Sequence, residues 1–361
     1  MFGTSLMGAS MRISIRVLAA TATAVAAFAP AAHAQDMTTA SFGGTTIYIG
    51  GGVQFLSLPD IKFTEAGGSR QKNSESDWLD FGGAAGGGIE TALGFWGGYR
   101  VTGGVKGFWA NLETDDRKGC NGGSNYCTVI APTGELIGTS GTLSTKTDRD
   151  VDYWGGQAEL KFGRPEPVNV KPNLYRNDYF IIGADVRGID QNNTLRSSAG
   201  TNFAYKESLD TTYYGGYIGI GGEYSFGFIP FFGSAVKGVG GIYDRLGLRT
   251  FINLRGGLYQ ADTDYTGRFA SGSFGSSLSQ SNDDLAFIGT ISLETRKQLG
   301  SRTSLSLWTD YEYISSVPKM HYADDNGSPT RIGDEGVFAS RTMLRLNISL
   351  GAQQLYEEPL K

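Results

Sequence analysis

Residues Val337 to Gly351 read VFASRTMLRLNISLG, and their period of two sets the fold class. Phe338, Ser340, Thr342, Leu344, Leu346, Ile348 and Leu350 share one face; Ala339, Arg341, Met343, Arg345, Asn347 and Ser349 share the other. Successive side chains of a β-strand point to opposite sides, so one face of this strand suits hydrocarbon and the other does not. A half-buried strand of a soluble sandwich alternates in the same way. The rest of the chain has to name the solvent.

The 361 residues include 54 Gly, 18 Tyr and 20 Phe but only two Cys and two His, with a formal charge of −5. Neither a collagen period nor a disulfide framework goes with that composition. A hydrophobic share of 40% opposes disorder. Mild acidity without a basic run opposes a nucleic-acid partner. From Met11, the expected true start, the chain reads MRISIRVLAATATAVAAFAPAAHAQ. Arg12 and Arg16 form a positive n-region, Val17 to Phe28 an apolar h-region, and Ala32-His33-Ala34 a cleavage site between Ala34 and Gln35. The apolar run is short for a helix that must cross with about 20 residues. The expected organisation is a signal peptide over 1–34, a polar leader over 35–45, a barrel over 46–351 and a tail over 352–361. No later apolar run is long enough for a membrane helix, so an exported chain that enters a membrane does so as a closed barrel.

The same alternation marks nine further expected strands: Thr46–Ser57, Trp78–Ala92, Gly97–Leu112, Asp150–Gly163, Asn177–Asp190, Ser208–Phe226, Leu246–Gln260, Asn282–Leu299 and Thr303–Val317. The connections after odd strands read as mostly long and polar: Leu58–Asp77, Glu113–Arg149, Gln191–Glu207, Ala261–Ser281 and Pro318–Gly336. Two of those after even strands, Leu93–Trp96 and Gly300-Ser301, are tight. The apolar, Gly-broken connection Phe228–Arg245 reads as a short helix or an interfacial loop. Trp78, Phe95, Trp96 and Trp109 fall at strand ends, where rings settle at headgroup level.

In strand number, connection lengths and aromatic placement the chain resembles bacterial outer-membrane β-barrels as a class, a likeness covering Thr46 to Gly351. Such barrels often end on an aromatic residue, whereas this chain continues through Gln353 and Tyr356 to Lys361. The resemblance implies an all-β fold: one transmembrane, antiparallel, up-and-down barrel of about ten strands, with long outer loops and shorter periplasmic turns. It also implies residence in the outer membrane among lipid and lipopolysaccharide, reached through the barrel-assembly machinery.

Inward positions carry the polar signal. The acids are Glu90, Glu159, Asp185, Glu223, Glu294, Asp310 and Glu312. The bases are Lys106, Lys161, Arg187, Arg249, Arg255, Arg296, Arg341 and Arg345, with Trp308 among them. Neighbouring strands set Glu312 beside Arg341, Glu294 near Arg255, and Glu159 near Asp185 and Arg187. Ten strands enclose little more than side chains fill, so balanced charge lines a narrow channel or closes it.

Other candidates are weaker. Gly86-Gly87-Gly88 and Gly215-Gly216 lack the helix and Lys of a phosphate cradle. Cys120 and Cys127 in GCNGGSNYC, an exported loop without further ligands nearby, point to a disulfide rather than a metal. His321 is followed by Asp324 and Asp325. Omptin proteases, also ten-stranded barrels, use an Asp/His pair and an acidic pair at the outer rim, but Asp115/Asp116 and Asp283/Asp284 sit in generic sequence that does not match that pattern. The expectations are therefore no catalytic, cofactor or metal residues and no enzymatic activity. First among functions is a narrow, weakly selective pore for small solutes. Next comes a non-conducting structural or surface-binding barrel with an unknown loop ligand, and last a rim enzyme, protease-like or lipid-modifying.

Overall fold

Strands with Leu, Ile and Phe outward and Arg, Asp and Tyr inward cannot leave an edge unpaired in lipid, and the chain meets that demand by closing its sheet. The structure, a computed structural model, describes residues 44–62, 64–66, 69–71, 80–121, 127–139, 142–171, 174–199, 202–224, 248–322 and 330–350. Ten long strands form the ring: β1 (Thr45–Leu56), β4 (Asp80–Trp96), β5 (Tyr99–Asn121), β8 (Thr142–Gly163), β10 (Leu174–Ala199), β11 (Ala204–Tyr224), β12 (Leu248–Ser271), β13 (Phe274–Gln298), β14 (Thr303–His321) and β15 (Arg331–Leu350). Each pairs antiparallel with its neighbours in chain order, and β15 closes on β1 from Thr45↔Leu350 to Leu56↔Ala339. The expected ten-stranded all-β barrel is the fold found. Short strands β2 (Thr64–Ala66), β3 (Ser69–Gln71), β6 (Cys127–Ile130) and β7 (Leu136–Thr139) make a separate four-stranded sheet, and β9 (Val168–Lys171) pairs with the start of β10. No helix among the described residues is long and apolar enough to cross a membrane; strands do the crossing.

The outer surface carries an apolar belt. Ile49, Ile182, Ile218, Ile220, Leu254, Leu258, Ile291, Leu307 and Leu344 are all exposed. Aromatic rings border it on both sides. Phe95, Trp96 and Tyr99 lie at the end where Gly97 and Gly98 turn β4 into β5, the turn end, while Phe81, Trp109, Tyr214, Phe287 and Phe338 lie toward the opposite, outer end, where Gly272 and Ser273 join β12 to β13 just as tightly. A tilted strand crosses hydrocarbon in about 9–11 residues. β10 has 26 residues and β13 has 25, so more than half of each stands outside the belt. Above the rings the outward positions turn polar: Asp190, Asn192 and Thr194 on β10, and Asp210, Ser208 and Lys206 on β11.

This extension corrects several expected boundaries. Glu113–Arg149, Gln191–Glu207, Ala261–Ser281 and Pro318–Gly336 are strand over most of their described length rather than loop. In water the outward residues are polar and the hydrophobic alternation fades, yet backbone pairing continues without it. At the opposite end the expected four-residue turn Leu93–Trp96 is strand, and the reversal takes two residues, Gly97 and Gly98. Their φ values of 59° and 83° suit the hairpin turn whose twist matches the flanking strands and that glycine adopts most readily. The signal peptide, the cleavage site Ala34/Gln35, most of the leader, the tail, Trp78 and Phe228–Arg245 lie outside the described residues.

Candidate functional site in the barrel lumen

The inward face is filled in layers. At the outer mouth, Val129 of β6 and Ala131 just after it pack with Leu143, Leu195, Phe203, Tyr205 and Phe269, so this stretch lies across the opening. The chain following β1 turns inward, burying Ile61 in this same cluster and Leu58 in the apolar layer below, and offering the Pro59 carbonyl to Arg149 at 3.1 Å. Arg149 also donates to Gln191 at 2.7 Å and lies 3.8 Å from Asp80. Glu207 accepts from the Tyr322 hydroxyl at 2.8 Å, from Asn193 at 2.9 Å and from Tyr265 at 3.3 Å. Burial pushes the Glu207 carboxyl up to about 7, against the hydrogen bonds that draw it down. Next comes an apolar layer of Leu56, Leu112, Val151, Ile189, Tyr213, Ile288, Ile314 and Val337.

Below that layer, at the level of the belt, lies a network of buried charge. Arg187 donates to Asp185 at 2.6 Å and meets Glu312 at 2.8 Å, and the Tyr153 hydroxyl adds a 2.6 Å bond to the same Glu312 carboxylate. Arg341 reaches Asp310 at 2.9 Å and Glu312 at 3.7 Å, with its guanidinium 3.5 Å from the Phe108 ring centre. Arg255 donates to Gln157 at 3.0 Å and Ser292 at 2.6 Å, and stands 3.5 Å from Glu159. Arg187, Arg255 and Arg341 are only 2%, 6% and 4% exposed. Buried ions need partners because their desolvation is not otherwise offset. Alternation places each of them inward, and register decides whom each meets.

Register also separates pairs that neighbouring strands suggest. Glu294 pairs with Arg296 at 2.8 Å rather than with Arg255. Glu159 meets Lys106 and Lys161, both at 3.4 Å, as well as Arg255, rather than Asp185 and Arg187. Arg296 and Lys161 meet acids two residues away on their own strands, Lys106 meets one on the adjoining β8, and Arg255 alone reaches Glu159 from a strand that does not adjoin it.

At the turn end the fill stops, leaving a polar cavity of about 150 Å3. Glu90 pairs there with Lys161, and Glu223 with Arg249 at 3.3 Å. Trp308 and Arg345 form part of its wall, Arg345 lying over the Trp308 ring and 4.8 Å from the Tyr48 ring centre. Gly50 and Gly88 make room for this stack, since a Cβ at Gly50 would meet Arg345 and one at Gly88 would meet the Tyr48 ring.

Cys120 is the last residue but one of β5 and Cys127 begins β6; their side chains, and residues 122–126 between them, lie outside the described residues. His321 closes β14, exposed at the outer end, where partial burial and then Lys319 and Arg331 hold its pKa below the usual value. Asp324 and Asp325 lie outside the described residues. Reading the sequence overlooked Arg149, Gln191, Glu207 and Tyr265, because their segments passed for loops. The signal available was the inward series Tyr205, Glu207, Leu209, Thr211 and Tyr213, which keeps its period of two.

No family model matches the chain, and no curated protein matches it in sequence. Among solved structures it is similar to the outer membrane protease OmpT from Escherichia coli, at 8% identity and TM-score 0.35, covering 87% of this chain and 99% of that one. It is also similar to Ail, the attachment invasion locus protein of Yersinia pestis, at 12% identity and TM-score 0.24, covering 85% and 99%. A third is a Pseudomonas aeruginosa FadL homologue, at 7% identity and TM-score 0.24, covering 86% and 90%. These likenesses concern the fold alone. One expectation is corrected by them: a protease stands among barrels of this architecture, so the exclusion of enzymatic activity is withdrawn.

Proposed function

We propose that the chain is exported by its signal peptide to the outer membrane and acts there as a non-conducting barrel whose outer extension does its work, binding or transforming a partner at the cell surface. The observation that carries this reading is the buried layer built on Arg187, Asp185, Glu312, Arg341 and Asp310. An ion crossing that layer would have to displace charges that are already paired and out of water, and a second, apolar layer stands above it. The closed barrel therefore ranks ahead of the narrow pore. Strands that run far beyond the belt support the same reading, because that length serves no purpose in crossing lipid. The proposal includes a disulfide between Cys120 and Cys127 that ties β5 to β6.

Single-channel recording in planar bilayers tests it. The expected result is a flat trace from purified, folded protein, judged folded by faster migration on an unheated detergent gel. Regular current steps whose size scales with salt would restore the pore to first place.

A further inference from the structure

We infer that the cavity at the turn end of the barrel is a binding site for a small oxyanion, a carboxylate or a phosphate, held by Arg345. The inference goes beyond the proposed function and does not depend on whether the barrel conducts. Five cationic side chains line the cavity, Arg100, Lys106, Lys161, Arg296 and Arg345, against four carboxylates, Glu90, Glu159, Glu223 and Glu294. Each carboxylate has its own cation: Glu90 has Lys161, Glu159 has Lys106, Glu294 has Arg296 and Glu223 has Arg249. Arg345 stands apart. It is 6% exposed, and its guanidinium has no ion pair or hydrogen bond among the described residues.

What Arg345 does have is aromatic cover, Trp308 against it and Tyr48 near it. Ring faces stabilise a cation through its own face and leave the in-plane N–H donors unsatisfied. Those donors form a planar fork that matches the two oxygens of a carboxylate or phosphate. The guanidinium opens on the cavity it lines, where an anion supplies the counter-charge that no carboxylate within ion-pair distance gives it among the described residues. Size limits the occupant, since a cavity of about 150 Å3 accommodates a ligand of roughly benzene size. Inorganic phosphate, acetate and short-chain carboxylates fit.

The test is calorimetric titration of the folded full-length protein in non-ionic detergent with sodium phosphate and, separately, sodium acetate, at constant ionic strength set with sodium chloride. Saturable one-site binding of at least one anion is expected, and comparison of the two arms assigns the class. Arg345→Gln should weaken it at least tenfold. Arg345→Lys, which keeps the charge and loses the fork, should weaken it less. Lys319→Gln, a cation at the far end paired with Glu335, should leave it unchanged. All variants are compared at equal folded fraction on unheated gels; should Arg345→Gln not fold, the comparison of parent with Arg345→Lys decides. Absence of saturable binding by the parent, or equal affinity in parent and Arg345 variants, would overturn the assignment.

Discussion

Replacing Glu207 by Gln isolates one titration in the outer extension. Glu207 faces inward on β11 among Tyr322, Tyr265 and Asn193, and burial is the dominant influence on its carboxyl. Its pKa rises from 4.5 to about 7 in the folded state. A carboxyl whose folded pKa lies above its unfolded value stabilises fully below the unfolded pKa, and that contribution is lost as pH rises through the folded one. At 1.36 kcal/mol per unit the loss is about 3 kcal/mol, most of it between about pH 5 and 8. Guanidinium unfolding in detergent across that range should show the parent weakening toward alkaline pH. Glu207→Gln should show a slope smaller by about that amount, with other titrations common to both. Amide exchange in β11 should follow the same trend if the extension opens before the belt does. Identical pH profiles for parent and variant would refute the reasoning, because they would mean that water reaches Glu207 and the outer mouth is not closed around it.

Arg187→Met should cost about 3–5 kcal/mol in the same unfolding assay, because Asp185 and Glu312 lose their shared cation while staying buried. A loss within experimental error would indicate a hydrated layer. Leu344→Arg puts a charge on the exposed face of β15 within the belt and should cost about 2–4 kcal/mol if that position sits near the bilayer midplane. A negligible cost would place β15 outside hydrocarbon.

Much of the fold was legible in the residues. Phe338, Leu344, Leu346 and Ile348 on one face of β15, with Arg341 and Arg345 on the other, are separated by nothing more than chain parity. Lipid then enforces what parity suggests, because each side chain meets one of two very different media. Where both outward and inward residues are polar, that contrast disappears. Thr145, Thr147 and Arg149 face inward on β8 in a segment that looks like a loop, and strand pairing there is visible only in the register with β5 and β10.

What the sequence by itself determined is therefore the kind of fold, the facing of the strands within the belt, and the list of charges that point inward. The tertiary structure decided where the strands end, that the lumen is filled above a cavity open to chemistry at the turn end, and which ion meets which. Facing depends on the parity of neighbouring residues, which a sequence carries directly. Pairing depends on the stagger between strands and on how far a side chain reaches across the barrel. Asp310 lies opposite Arg341 on the adjoining strand, but Arg187 and Glu312 meet from β10 and β14, strands that do not touch along the sheet. Arg345 differs from Arg341 only in lying four residues nearer the turn end, where the acids already have partners. No reading of parity can distinguish the two, since that difference exists only once the ring has closed.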